Sequence, residues 1–390
     1  MELVKSADAS AGRPASLKSI ADAGLPHWHV VIDCGCVVAL LGACCAFIIV
    51  AADNLAHFGL FEQRWPLVCI SVAIVSPLAF LRTMDSLRFT SLLSLVATAY
   101  ITVLSALYAV SDDPDAAFAP CPPDDSSESC PPGETATYKW GFGVLASLPG
   151  LALAFGAQSS APFIYNELER PTQLRFAKVF FAGNFSSVAV YLVVALCGYY
   201  SFGDKVKDNL LESYPHRLEV QIGRLGLALV VLFSYPLLAL PFRKSVASLV
   251  YICGISPPKE STSFFESNPI EVLPTVLLLG FNLYVGLANV SLGLVIDFAG
   301  ALGATIVVLF GPSTCYLLVF RKNGCDVDYI IAAFIAAFGV FICITFMYLF
   351  FGPAPGGDAE AGSGDEGLSR SFSLEHEVSY IVLSPSRWFH

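Results

Sequence analysis

The sequence predicts an all-α, polytopic membrane protein. The first observation is composition: 55% of the 390 residues are hydrophobic and 14% are charged, whereas about 25% of a soluble domain is charged. The mean hydropathy of +0.67 agrees with this class. The second observation is a series of long apolar segments separated by polar loops: residues 30–52, 65–80, 89–110, 140–162, 179–202, 225–241, 272–288, 292–320 and 329–351.

Each of these nine segments is predicted to be a transmembrane helix. A helix needs roughly 20 apolar residues to cross the bilayer core, and backbone polar groups must be satisfied within the spanning structure. Barrel strands alternate between apolar and polar residues, whereas these segments are apolar throughout. The chain is therefore expected to be an integral, multi-pass protein of a lipid bilayer.

The distribution of charge orients the helices. Lys and Arg favour the cytoplasmic side, and a cytoplasmic N-terminus places roughly twice as many of them there as on the other side. This orientation gives a polar cytoplasmic tail at residues 1–29, a transmembrane domain at 30–351 and an external, largely disordered tail at 352–390. It also makes the acidic loop 111–138 external. The net charge of −11 argues against nucleic acid as a partner.

Two of the twelve cysteines are predicted to form a disulfide. Cys121 and Cys130 lie among prolines in the external acidic loop, and an oxidising compartment favours disulfides. Most other cysteines lie in or beside apolar segments, where a thiol behaves as a small hydrophobe. The sequence has neither the ligand spacing of a metal site nor a nucleophile with a base, so no metal, no cofactor and no enzymatic activity is expected.

Two segments contain residues that interrupt helices. The fourth has Pro149 and Gly150 near its middle and then a run of small and polar residues at 155–160, and the sixth has Ser234 beside Pro236. Interrupted backbone inside a membrane is tolerated where it lines a cavity, and transporters use it to bind ions and charged substrate groups. Close packing of small residues and a plain proline kink are the alternatives.

Two acidic residues lie inside apolar segments. Asp33 is near the cytoplasmic end of the first segment, and Asp297 is about one turn inside the external end of the eighth. Ionisable residues within the membrane are functional candidates. Asp297 is a candidate for proton coupling, with solvation from the external side as the alternative, whereas Asp33 can simply reach the headgroups.

An ordered series of motifs resembles a known family. The motifs are Leu148-Pro149, the run 154–158, the run 163–172 with Glu167 and Pro171, the run 198–203, and Ser234-Tyr235-Pro236 followed by Arg243. They resemble the amino acid/auxin permease superfamily and, within it, the sodium-coupled neutral amino acid transporters. The resemblance extends over about residues 30–351.

The resemblance implies a LeuT-like, inverted-repeat transporter fold of eleven helices. The nine segments correspond to the family's third to eleventh helices, so the fold is expected to be partial, without the first two. The family's usual histidine and cysteine are replaced here by Gln158 and Ala157. Ser234 falls where the family places a hydroxyl that binds sodium, and that role is implied by the resemblance.

The expected function is secondary active transport of amino acids by alternating access, coupled to sodium or protons. The resemblance and the predicted break indicate that the substrate binds at Phe155, Gly156, Ala157, Gln158 and Ser159. A plasma, lysosomal or vacuolar membrane is expected, and the oligomeric state is open. Two alternatives remain: a non-transporting amino acid sensor or scaffold, and an incomplete gene model of an eleven-helix transporter.

Overall fold

The computed structural model of the protein is helical wherever it has regular structure. It describes residues 28–59, 61, 63–80, 88–111, 118–121, 130, 132–135, 142–156, 160–161, 164–165, 168, 172–252, 269–319 and 327–351. Within these ranges no strand occurs, and the prediction of an all-α protein is confirmed.

The helices follow the apolar segments of the sequence. In chain order they are α1 (His29–Ala56), α2 (Trp65–Ala79), α3 (Arg88–Val110), α4 (Phe142–Ala154), α5 (Gln173–Phe202), α6 (Leu210–Ser213), α7 (Leu218–Ile252), α8 (Pro269–Leu287), α9 (Leu292–Phe298), α10 (Gly311–Val319) and α11 (Val327–Phe351). A short 3₁₀ helix (Gly203–Lys205) follows α5, and a π-helix (Ala299–Phe310) joins α9 to α10.

Six helices of the described part are long and apolar enough to cross a membrane. They are His29–Ala56, Ser91–Val110, Leu174–Lys205, Leu218–Tyr251, Leu292–Leu318 and Val327–Tyr348. The other three predicted segments contain shorter apolar helices, Trp65–Ala79, Val144–Ala154 and Val272–Leu287. Every predicted segment therefore holds an apolar helix, but six rather than nine reach the spanning length.

Helix α1 is the centre of the bundle. It packs along α7 and the π-helix and also contacts α2, α8 and α9. Cys36, Leu40 and Ile48 of α1 share one apolar core with Leu232 and Tyr235 of α7. Since lipid tails are as apolar as these side chains, tight packing rather than burial from water holds such helices together.

A buried polar junction ties three of these helices together. The Cys45 thiol of α1 donates a hydrogen bond to Asn282 Oδ1 of α8 at 2.8 Å, and Asn282 Nδ2 donates to the Tyr235 hydroxyl of α7 at 2.7 Å. Interhelical hydrogen bonds of this kind contribute about 0.6 kcal/mol each on average within membranes. They also favour one register of the three helices, because the bonds form only when Cys45, Asn282 and Tyr235 lie at the same level.

Glycines let the π-helix approach two other helices at backbone distance. A Cβ on Gly300 would overlap the carbonyl of Pro149 in α4, and a Cβ on Gly303 would overlap the backbone of Ala39 in α1. The Thr305 hydroxyl donates to the Gly300 carbonyl, five residues earlier, at 2.8 Å. The π-helix therefore lies wedged between α1 and α4, and small residues make this packing possible.

A buried arginine fastens the loop that follows α5. The Arg224 side chain of α7 is fully buried. Its Nε and Nη2 donate to the Leu211 carbonyl at 3.2 and 2.8 Å, and Nη2 also donates to the Tyr214 carbonyl at 2.9 Å. These bonds satisfy carbonyls that would otherwise be buried without partners, so the loop is held against the end of α7.

The acidic loop is held to the same end of the bundle. A disulfide joins Cys121 and Cys130, the pair that the sequence predicts, with Cα atoms 5.5 Å apart. Further along this loop, the Glu134 amide donates to Asp204 Oδ1 at 3.1 Å. The described residues 133 and 134 of the loop between α3 and α4 are therefore hydrogen-bonded to the end of α5 and the 3₁₀ helix that follows it.

The glycine contact between the π-helix and α4 gives a stability prediction. Gly300→Ala should force α4 away from the π-helix, because the new methyl group would overlap the Pro149 carbonyl. Overpacking of this kind costs about 1–3 kcal/mol. The measurement is the fraction of monodisperse protein that survives heating in detergent.

The matched control for this prediction is Gly183→Ala in α5, where an added Cβ meets nothing within 4 Å. The temperature at which half of the protein remains monodisperse should be unchanged or slightly higher, because Ala is a better helix former than Gly. Equal midpoint temperatures for Gly300→Ala and Gly183→Ala would contradict the close packing of α4 on the π-helix.

Candidate functional site

The fourth apolar segment is interrupted after Ala154. The last turn of α4 ends with Phe155 N donating to the Leu151 carbonyl at 3.2 Å and Gly156 N donating to the Leu153 carbonyl at 3.0 Å. A Cβ on Gly156 would lie only 2.9 Å from the Leu153 carbonyl oxygen, so this tight ending favours glycine. Helical conformation returns at residues 161 and 164–165.

The helix ends where the sequence predicts substrate contacts. Phe155 and Gly156 form the end of α4, while Ala157, Gln158 and Ser159 lie outside the described residues. The helix continues through Pro149 and Gly150, contrary to the idea that this pair belongs to the break. The physical reason is packing, because this pair lies against α9 and the π-helix.

Tyr191 of α5 caps the interrupted end, and sequence reasoning missed it. Its hydroxyl donates to the Ala154 carbonyl at 3.4 Å, and its ring meets the Phe155 ring edge-on with centroids 5.5 Å apart. A helix end leaves its last carbonyls without intrahelical partners, and this contact supplies one partner. The only signal in the sequence is a tyrosine in the middle of an apolar segment.

The structure brings Asp297 next to the same helix. Asp297 is half-buried near the end of α9, and a Cβ on Gly150 would lie 3.7 Å from its Oδ1. Gly150 is five residues before Phe155, about 7–8 Å along the helix. The carboxyl group and the break are therefore neighbours along α4.

Ser234 lies on a helix that is not broken. The prediction of an interrupted sixth segment is wrong, because α7 runs continuously through Pro236 and Pro241. Helices in membranes tolerate proline, and this part of α7 is packed into the bundle, with the adjacent Tyr235 fully buried.

The packing also separates Ser234 from the break. The main partners of α7 are α1, α2, α3, α8 and the small helix α6, whereas α4 packs mainly on the π-helix, α9 and α11. Ser234 and Phe155 therefore lie on helices with different neighbours, and the helix contacts do not assemble one site from them.

Asp33 does not reach the headgroups, as one interpretation of the sequence has it. Its side chain is 4% exposed and faces the bundle. Helix α1 is central, so even its first turns are covered by other helices. The carboxyl group is thus part of the interior of the protein.

A cluster of basic groups lies at the C-terminal end of α1. The His57 and His216 rings lie 4.9 Å apart, and His216 Nδ1 is 3.3 Å from Nη1 of the buried Arg224. Burial, together with the positive charges of Arg224, His216 and Lys207, lowers the pKa of His57 from 6.5 to about 4. The ring is therefore neutral in the folded protein down to acidic pH.

Long apolar helices, one of them interrupted inside its segment and flanked by an acidic side chain, define an integral membrane protein of the transporter class. Residues 14–353 match the family described as "Transmembrane amino acid transporter protein", and the chain belongs to this family. The predicted resemblance is thereby confirmed, and the protein is a member of a transporter family rather than an enzyme.

Several curated relatives share this sequence pattern. The chain is 26% identical over 320 residues to vacuolar amino acid transporter 5 of Schizosaccharomyces pombe, covering 79% of this chain and 70% of the relative. It is 24% identical over 247 residues to vacuolar amino acid transporter 5 of Saccharomyces cerevisiae, covering 58% and 51%. It is 23% identical over 305 residues to human sodium-coupled neutral amino acid transporter 7, covering 74% and 62%. The chain thus spans between half and 70% of the length of these relatives.

The low pKa of His57 makes the stability of the protein depend on pH. Between pH 6.5 and about 4 the unfolded chain binds a proton at this residue and the folded protein does not. Stability is therefore expected to fall as the pH falls through this window. His57→Gln should make that fall shallower in thermal unfolding of the detergent-solubilised protein.

Above pH 6.5, the ordinary pKa of histidine, the His57→Gln variant and the parent should respond to pH alike. A parent protein whose stability is constant from pH 6.5 to 4, or a variant with the same slope as the parent, would contradict the assignment.

Proposed function

We propose that this protein transports amino acids across a membrane by alternating access, with the substrate held at the end of α4. The observation that carries the proposal is the helix end at Ala154 inside an apolar segment. The C-terminal end of a helix carries partial negative charge and favours cations. The α-ammonium group of an amino acid is the part of the substrate that suits it.

The surroundings of the break support this assignment. Phe155 and Tyr191 offer aromatic surface to an apolar side chain, and the polar residues Gln158 and Ser159 follow in the sequence. Family membership supports amino acids as the substrate class. Two of the relatives are named as vacuolar transporters, which supports a vacuolar or lysosomal membrane, with the plasma membrane as the alternative.

The coupling ion is sodium or a proton. Asp297 beside α4 supports proton coupling, because an ionisable group inside a membrane protein can take up and release a proton along the transport path. Ser234 is the candidate for sodium by its resemblance to the family, and the relatives named sodium-coupled support that choice. The geometry favours Asp297, since it lies against the helix that carries the break.

The proposal is tested by uptake of labelled amino acids into liposomes that contain the full chain. Uptake above that of empty liposomes is expected for at least one amino acid. Tyr191→Phe should lower the rate about tenfold or less, because it removes one hydrogen bond to the Ala154 carbonyl. Tyr200→Phe in the same helix, 62% exposed, is the matched control and should transport normally.

Equal uptake rates for Tyr191→Phe and Tyr200→Phe would contradict the assignment of the end of α4 to the substrate site. Absence of uptake for every amino acid, with protein that binds them, would favour the sensor hypothesis over transport.

The two candidates for coupling give opposite predictions in the same assay. If protons drive uptake, Asp297→Asn should abolish the response to an imposed pH gradient and Ser234→Ala should leave it intact. If sodium drives uptake, Ser234→Ala should raise the sodium concentration for half-maximal uptake, about fivefold for one lost ligand interaction of about 1 kcal/mol. Unchanged responses in both variants would rule out both assignments.

A further inference from the structure

A polar cavity lies on the side of the membrane that is predicted to be external. Its volume is about 640 Å³, and three parts of the chain line it: the end of α1 with Arg64, the loop after α5, and the loop between α8 and α9. Four carboxylate and three cationic side chains line the wall, with few apolar residues. The walls thus offer partners for both charges of a zwitterion.

The centre of this charge pattern is Asp53. Its Oδ1 lies 2.8 Å from Arg64 Nη2, and the charge of Glu212 also acts on it from across the cavity. Arg64 Nη1 in turn donates to Asn289 Oδ1 at 3.4 Å. Asp53 and Glu212 both line the cavity and their charges repel each other, so an additional cation between them would relieve this repulsion.

The cavity walls are held in place by hydrogen bonds. Asp208 Oδ2 accepts from Gly293 N at 3.1 Å, which fixes the loop after α5 to the start of α9. Asn209 Nδ2 donates to Glu212 Oε1 at 3.3 Å, which orients that carboxylate. A cavity with fixed charges binds a complementary ligand at a lower entropic cost than mobile side chains do.

The cavity and the candidate transport site share helix α9. Leu292, the first residue of α9, belongs to its wall. Asp297 is five residues further along this helix, about 7.5 Å deeper at the usual rise per residue, and it lies against α4. A solute in the cavity is therefore near the acidic group that adjoins the break.

We propose that this cavity captures amino acids before they enter the transport path. The ammonium group binds between Asp53 and Glu212, and the carboxylate binds at the cationic part of the wall with Arg64 and Lys207. Because carboxylates outnumber cations in the wall, neutral and basic amino acids bind better than acidic ones. The role as a first station for the transported solute rests on the proposed function, whereas binding in the cavity is measurable separately.

The test places a reporter thiol in the cavity wall. Val290, which lines the cavity, is replaced by cysteine in the full chain in lipid nanodiscs, and the rate of reaction with a charged methanethiosulfonate is measured. The parent protein, treated in the same way, gives the contribution of native thiols. L-alanine and L-lysine should slow the reaction, and L-glutamate should slow it least.

Glu212→Gln in the Val290→Cys background tests the charge assignment. It keeps an oxygen that can accept from Asn209 but removes the charge, and it should raise the L-lysine concentration for half-protection about fivefold, the value of a surface ion pair of about 1 kcal/mol. Glu134→Gln is the matched control. Glu134 lies on the same side of the protein, and only its backbone amide bonds to Asp204, so protection should be unchanged.

The inference is overturned if none of the three amino acids protects the thiol. It is also overturned if the L-lysine concentration for half-protection is the same in Glu212→Gln and Glu134→Gln. Uptake without protection of the thiol would contradict the capture site but not the transport proposal. Protection without uptake would establish binding in the cavity and count against transport.

Discussion

The close approach of the π-helix to α1 on one side and α4 on the other is the contact on which the rest of the structure depends. Gly303 meets the backbone of α1 and Gly300 meets the Pro149 carbonyl of α4. Within a membrane there is little gain from burying apolar surface, so helices associate where their backbones can come close. This contact sets the position of α4, and with it the position of the interrupted end at Ala154.

The π-helix itself has a cost that this packing offsets. Long runs of π-helix are rare, and single turns of it are frequent at functional sites. Here it extends over Ala299–Phe310 and begins two residues after Asp297. The Thr305 hydroxyl supports it locally by donating to the Gly300 carbonyl. A helix that is wider than usual thus begins close to the acidic side chain that adjoins α4.

Much of the fold could be predicted from hydrophobicity alone, and the candidate site only in part. The apolar segments locate the helices because the bilayer imposes length and apolarity on each segment. The end of α4 could be anticipated from the run of small and polar residues after Ala154. Whether α7 is continuous could not be predicted in this way, because the sequence does not show what packs around a proline; the structure shows a continuous helix through Pro236 and Pro241.

Other features depend on contacts between distant parts of the chain. Tyr191 reaches Ala154 across 37 positions, and nothing in its own segment indicates that contact. The burial of Asp33 follows from the central position of α1, and the polar cavity forms only where three separate parts of the chain meet. A sequence pattern shows the environment of a residue along one helix. These features depend instead on which helices are neighbours, and the pattern does not contain that information.

Helix α5 connects the break to the physical state of the lipid. Its 30 residues extend about 45 Å, compared with about 30 Å for the hydrocarbon core of a bilayer, so it must tilt or project beyond that core. It packs mainly against α3, and no residue in its most apolar stretch is buried. Few contacts therefore resist a change of tilt. Since Tyr191 lies on this helix and caps α4, membrane thickness is expected to influence the geometry of the break. A thicker, sterol-rich membrane and a thinner one would then set different working geometries for the same chain.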